Sequence, residues 1–216
     1  MDDKLPNAAS VVDNTGEVGA MESRAEKVRL IKELEPVRVT PTEPIGVRAA
    51  EHVARSFGEM ENQTDKRIAL FPMATVGKIV GHGGFKISTI IGEIVNLYKT
   101  SIPAWSEPEV SKAGHKPHNN IEAYHYYVNK FFDESGESFI RFTVQEMKTG
   151  RKVRRRTPGE NFIHSTTISD VTVYNITQTA MSHKVSGKNT PVLRTSPPFV
   201  DKKLQDFFDS VKEKKD

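Results

Sequence analysis

The chain has 216 residues, 36% of them hydrophobic, so it can bury one substantial core but is too short for two full-sized domains. It has no cysteine, which excludes disulfide bonds and thiolate metal ligands. The net charge is +3, but residues 1–66 hold 9 Lys and Arg against 13 Asp and Glu, whereas residues 67–216 hold 22 against 15. The basic part points to nucleic acid, with an ordinary solubilising surface as the alternative.

The amino-terminal segment lacks the basic start and continuous apolar stretch of a secretory signal. No later run approaches the roughly 20 apolar residues that a bilayer-crossing helix needs. We therefore expect a cytoplasmic protein with no membrane partner.

Two helices are predicted ahead of the main domain. Residues 1–19 are polar and are expected to be disordered. Residues 20–35 are rich in helix formers and stop before Pro36, and residues 45–58 predict a second helix closed by Gly58. Residues 1–44 are thus interpreted as a disordered or partly helical linker.

The domain at 45–178 is expected to begin its sheet with the short strand RIALFP at Arg67. A helix follows, because apolar residues recur at intervals of three and four. Its apolar face consists of Ile87, Ile90, Ile91, Ile94, Val95 and Tyr98.

Four aromatic and β-branched segments predict strands: IEAYHYYVNKFF, SFIRFTVQEM, FIHSTTI and DVTVYNI. In the second, Ile140, Phe142 and Val144 alternate with polar residues, so Arg141 is expected to face away from the core. The predicted fold is α+β, with helices packed on an antiparallel sheet of about four to five strands. Residues 179–216 form a polar extension with a short helix.

Cleaving RNA without a metal requires a base, an acid and fixed cations for the charge on phosphorus. His82 lies among glycines directly before the core helix, where backbone amides and Lys86 favour a phosphate. The alternative is that these glycines only form a tight turn.

Arg141 is the candidate phosphate-binding residue, since a guanidinium on an open strand face can hold two phosphate oxygens. His164 and Thr166 are expected to share a face of a later strand and complete the catalytic set. A surface arginine, and histidines with a purely structural role, remain the alternatives. On the catalytic interpretation, His82, Arg141 and His164 converge on one exposed face.

Further cations, Lys130, Arg154 and Arg155, are candidate contacts to the RNA backbone, although the RKVRRR run also suits a solvated loop. His115 and His118 have a spacing seen in metal sites, but the nearby chain offers too few further ligands. We therefore expect neither a metal nor another cofactor.

Between about Arg67 and Asn175, the segments VGKIVGHGG, HKPHNNIEAYHYYVNKF, SFIRFTVQE and NFIHSTTISDVTVYN resemble the nuclease domain of large polyvalent phage and conjugative-element proteins. That domain is grouped with barnase, EndoU, colicin-type and RelE-like ribonucleases. The resemblance implies a toxin-like endoribonuclease whose open sheet face cuts RNA to a cyclic phosphate, delivered with phage or conjugative DNA. It implies catalytic roles for His82, Arg141, His164 and Thr166, and an immunity or antitoxin protein as a second partner.

The segment VGKIVGHGGFKISTI also resembles the glycine loop of a KH domain, in which residues 81–84 would clamp a nucleic-acid backbone. Some twenty polar residues follow, where a KH domain returns quickly to strands. Two alternatives to the enzyme therefore stay open: a non-catalytic RNA-binding module, either KH-like or a decayed nuclease, and a structural component of a phage particle.

Overall fold

The computed structural model describes residues 15–82, 85–110, 120–148, 161–170 and 200–211, and within them the fold is α+β. The described α-helices are α1 Thr15–Glu33, α2 Val47–Ala54, α3 Met73–His82, α4 Phe85–Thr89, α5 Ile94–Lys99 and α6 Lys202–Asp209. The described strands are β1 Val37–Arg38, β2 Glu59–Glu61, β3 Ile68–Leu70, β4 Ile102–Pro108, β5 Ile121–Asp133, β6 Gly136–Met147 and β7 Asn161–Asp170.

The described strands form one mixed sheet of seven, in the order β1-β5-β6-β7-β3-β2, with β4 also paired to β5. The long strands β5, β6 and β7 are antiparallel, whereas β1 runs parallel to β5 and β3 parallel to β7. The α+β class is confirmed, but the prediction of a purely antiparallel sheet of four to five strands is wrong. Strand β3 was predicted at RIALFP, but β1, β2 and β4 were not. Strands as short as β1 and β2 carry too little alternation to be recognised in a sequence, and β4 includes two prolines.

One side of the sheet, here called the helix face, is covered by α2, α3, α4 and α5. The predicted apolar stripe is confirmed, since it is buried or packed against this core along its whole length. The helix itself is divided: α4 is followed by a 3-10 turn at Ile91–Glu93, and α5 begins at Ile94. Gly92 lies in that turn, and glycine is a poor residue for a helix interior.

The opposite side, here called the clamp face, was expected to be open and is instead covered by α1 and α6. Val28 and Ile31 of α1 join Leu204, Phe207 and Phe208 of α6 in a core over Ala104, Val128 and Phe139. The covering helices come from the two ends of the chain. Alternation within β6 separates the two sides of a strand, but it does not tell which side another helix covers.

The hairpin between β5 and β6 is tight. The Asp133 carboxylate accepts hydrogen bonds from the Ser135 amide at 2.8 Å and from its hydroxyl at 2.5 Å, and Gly136 has φ +111°. Among the described helices, none combines the length and apolar character needed to cross a lipid bilayer.

Candidate functional site

Arg141 lies on the clamp face of β6, where it is 7% exposed. Its Nε and Nη2 donate to the two carboxylate oxygens of Asp201 at 2.5 and 3.1 Å, and its Nη1 donates to the Thr143 hydroxyl at 2.7 Å. Asp201 also caps the amino terminus of α6. The expectation that Arg141 faces an open surface is therefore corrected: α6 covers it and supplies its anion.

His164 and Thr166 both lie on β7, but a β-bulge at His164 means that their side chains need not point to the same face of the sheet. Thr143 pairs with Ser165 and Val144 pairs with Ile163, so His164 is the extra residue. A bulge interrupts the two-residue alternation from which a shared face was expected.

Thr166 pairs with Phe142, so it lies on the helix face, where it is buried and its Oγ1 has no hydrogen-bond partner among the described residues. His164 is exposed, with its ring 6.2 Å from that of Tyr124. Tyr124 pairs with Gln145, on the clamp face. The two residues therefore belong to opposite sides of the sheet.

Lys86 was expected beside a bound phosphate, but its ammonium group is hydrogen-bonded within the fold. Its Nζ donates to the hydroxyls of Ser135 and Ser138 at 2.9 and 2.7 Å and lies 3.5 Å from the Asp133 carboxylate. Lys86 thus ties α4 to the β5–β6 hairpin. The backbone of His82 ends α3, while its side chain falls outside the described part.

Lys130, a predicted RNA contact, is 7% exposed, and its Nζ donates to the Lys32 carbonyl at 2.7 Å, which ties β5 to α1. Arg154 and Arg155 fall outside the described residues, as do His115 and His118. The predicted site residues whose side chains are described are therefore not brought to one exposed place.

A different cluster crosses the sheet on the helix face, beyond the end of the helical layer. We call it the polar row; it consists of Ser106 on β4, His125 on β5, Glu146 on β6, Asn161 on β7, and Asp65 and Arg67 just before β3.

Strand register aligns the polar row. Ser106 pairs with His125, and Glu146 pairs with Asn161. Paired residues share a face of the sheet. On β5, His125 stands two residues before the buried Tyr127, so it continues the inward-facing side past the hydrophobic core.

The side chains of the polar row form a continuous chain of hydrogen bonds. His125 Nδ1 lies 2.8 Å from Ser106 Oγ, and His125 Nε2 lies 2.6 Å from Glu146 Oε2. Arg67 Nη1 donates to the same Glu146 oxygen at 3.2 Å and to the Asn161 side-chain oxygen at 2.9 Å. Glu146 is thus held between a base and a cation.

The electrostatics favour a neutral imidazole beside a carboxylate. Burial lowers the pKa of His125 below its usual 6.5 and outweighs the opposing hydrogen bond to Glu146. Burial raises the pKa of Glu146, but the hydrogen bond from His125 and the charge of Arg67 bring it below 4.5. A carboxylate only accepts, so Nε2 carries the proton and Nδ1 offers its lone pair to the Ser106 hydroxyl.

The polar row opens into a cleft of about 300 Å³ at the edge of the sheet. Its lining includes the cations Arg67 and Lys27 and the carboxylate of Asp65, together with Ser106 and His125. The Nε of Arg67 is buried and has no hydrogen-bond acceptor among the described residues, and it lies 3.9 Å from a carboxylate oxygen of Asp65. The cleft thus pairs a base with cations suited to an anionic oxygen.

The sequence analysis did not identify His125, Glu146 or Arg67 as functional residues. A detectable signal was the alternation of β5, which places His125 on the side of Tyr127 and Asn129. The partners on other strands depend on the register of β4 and β6 against β5 and of β7 against β6. No group of three or more potential metal ligands occurs within the described ranges.

Comparisons of this chain with protein-family profiles, with curated proteins and with solved structures find no match. The polar row is therefore the ground for a functional assignment.

Proposed function

We propose that this protein is a metal-independent endoribonuclease that cleaves RNA at the polar row, by attack of the 2′-hydroxyl on the neighbouring phosphate to leave a cyclic phosphate. One observation carries the proposal: the imidazole of His125 is hydrogen-bonded to the Glu146 carboxylate, which Arg67 also contacts, at the edge of a cleft. The resemblance to phage and mobile-element nucleases favours the same activity but implies other residues.

His125 is the proposed general base. Its Nδ1 lone pair points to Ser106, an exposed residue whose hydroxyl can turn aside about a single bond. An RNA 2′-hydroxyl at that position loses its proton to Nδ1. The imidazolium that forms is stabilised by Glu146, whose oxygen lies 2.6 Å from Nε2.

Arg67 and Lys27 supply positive charge for the phosphate. The side chain of Arg67 is 26% exposed, and its Nε has no acceptor within the described part of the chain. The charge of Arg67 stabilises the negative charge that builds on the phosphorus of a phosphate bound in the cleft. Solvent at the open side returns a proton to the departing 5′-oxygen. An immunity or antitoxin protein would inhibit the enzyme by covering this cleft.

The test is an RNA cleavage assay with the full chain in excess chelator. Labelled RNA should be cut to fragments ending in a 2′,3′-cyclic phosphate, and an RNA with a single 2′-deoxy substitution should resist cutting at that position. His125→Ala should lower the rate by about 10²–10⁴-fold, the usual contribution of a general base. Arg67→Ala should also lower it, whereas the exposed Arg38 provides a matched cation control.

His164→Ala is the control that decides between sites, because His164 is an exposed histidine on the same sheet. Full activity in His164→Ala with loss in His125→Ala supports the polar row. The reverse result moves the active site to β7 and overturns this assignment. RNA that is bound but never cut, in any condition, would make the protein a binding module instead.

A further inference from the structure

Ser106 ends the hydrogen-bond chain on its exposed side. Its Oγ lies 2.8 Å from His125 Nδ1, and the ring is held on its other nitrogen by Glu146 at 2.6 Å. A hydroxyl, an imidazole and a carboxylate in this order are the parts of an activated serine nucleophile. The ring nitrogens are exchanged relative to the chymotrypsin arrangement, which leaves the direction of proton flow unchanged.

Three features make Ser106 accessible and provide a charge that can stabilise an anionic oxygen. Ser106 is exposed, while the side chain of His125 is only 12% exposed. Ser106 lies on β4, which pairs with β5 along one edge and with no other described strand, so a reagent can approach from the cleft side. Arg67 lines the same cleft and can neutralise charge on an oxygen.

We propose that Ser106 is a covalent nucleophile of a serine-esterase type, which accepts an acyl or phosphoryl group from activated carboxylic or phosphoric esters. This activity goes beyond RNA cleavage, in which the substrate supplies its own hydroxyl. Both reactions use His125 as base and differ in the hydroxyl that it deprotonates.

Acyl transfer from an ester proceeds through Ser106 in two stages. Ser106 Oγ attacks the ester carbonyl carbon, an O–C bond forms, and the Oγ proton passes to Nδ1 of His125. The bond to the leaving alkoxide breaks, and that oxygen takes the proton from Nδ1. Water then repeats the sequence, which releases the carboxylic acid and restores Ser106.

The probe for this proposal is a fluorophosphonate. Its phosphorus forms a bond to Oγ, the P–F bond breaks, and fluoride leaves while His125 takes the serine proton. Full chain is incubated with the probe, and the modified residue is located by mass spectrometry of peptides. We expect one adduct, on Ser106, with a labelling rate that rises with pH as His125 loses its proton.

The variants distinguish a serine that is activated by His125 from one that is only exposed to solvent. Ser106→Ala should abolish labelling, and His125→Gln should slow it by at least about 100-fold. Ser56→Ala is the matched control, because Ser56 is also exposed but bonds only a backbone carbonyl, that of Val53 at 2.7 Å. Near-ultraviolet circular dichroism of each variant confirms retained packing.

An unlabelled native chain overturns the proposal, and so does labelling of Ser106 at the same rate in His125→Gln. Both activities are measured on the native chain, and they use different hydroxyl groups: the RNA brings its own 2′-hydroxyl to Nδ1, whereas labelling modifies Ser106. The two activities therefore fail independently: labelling without RNA cleavage refutes only the ribonuclease, and RNA cleavage without labelling refutes only the nucleophile.

Discussion

Two arginine–carboxylate pairs occupy opposite faces of the same sheet, and their surroundings differ. On the clamp face, Arg141 and Asp201 are both buried and joined by two hydrogen bonds. On the helix face, the side chains of Arg67 and Glu146 are 26% and 33% exposed. One carboxylate oxygen of Glu146 is bonded both by Arg67 and by His125. The first pair is closed off by a helix, and the second opens into a cleft.

Similar charged groups take different roles according to what packs over them. Asp201 caps the amino terminus of α6 and accepts a hydrogen bond from Arg141. The guanidinium of Arg141 therefore anchors that helix. Arg67 lies past the end of the helical layer, where part of its guanidinium can meet a ligand. A buried pair is costly to disrupt because removing one partner leaves an uncompensated charge.

The largest expected effect comes from breaking the buried pair. Arg141→Met should lower the free energy of unfolding by about 3–5 kcal/mol, because it leaves the Asp201 carboxylate buried without its cation. Urea denaturation of the full chain measures this. Adding Asp201→Asn to Arg141→Met should recover most of the loss, since Asn still caps α6. A single-variant loss below about 1 kcal/mol would show that the pair is not buried in solution.

A smaller effect is expected from Glu146→Gln in the open cluster. Without the carboxylate, the imidazolium loses its stabilising partner, so the pKa of His125 should fall further below 6.5. The acid limb of the RNA cleavage profile should move to lower pH, and kcat should drop by about 10-fold, part of what a general base supplies. NMR titration of His125 measures the pKa. Glu122→Gln, an exposed change on the same sheet, should leave it unchanged.

Acidification should weaken the helix-face cluster through the same histidine. Since the pKa of folded His125 is below 6.5, the unfolded chain binds a proton more readily. The stability contributed by neutral His125 is complete above pH 6.5 and is lost as pH falls below it. Between pH 7.5 and pH 5.0, the free energy of unfolding should therefore fall more steeply for the native chain than for His125→Gln. Equal slopes would contradict the lowered pKa.

The smallest effect concerns an exposed ion pair beside the clamp face. Lys203 of α6 donates to the Glu107 carboxylate at 2.8 Å, but their side chains are 43% and 47% exposed. Lys203→Met should change the free energy of unfolding by less than about 1 kcal/mol, because exposed pairs are screened by solvent. A loss as large as that of Arg141→Met would show that the Lys203 ion pair behaves as a buried one.

The elements with strong periodicity were predictable. The apolar stripe from Ile87 to Tyr98 and the alternation of Ile140, Phe142 and Val144 identify core-facing positions that the structure buries. The shared face expected for His164 and Thr166 was not predictable, because a one-residue bulge leaves no clear signal in a single sequence. The polar row was equally hidden, since its members come from five separate chain segments.

Local periodicity is enough to predict the α+β class, the positions of β5, β6 and β7, and the separation of apolar from polar residues along these strands. Which polar residues meet water depends on long-range packing. Burial of Arg141 depends on α6, sixty residues further along the chain, and the alignment of His125 with Glu146 and Ser106 depends on the pairing of three strands. Contacts between distant segments are set by packing and register, which local patterns do not encode.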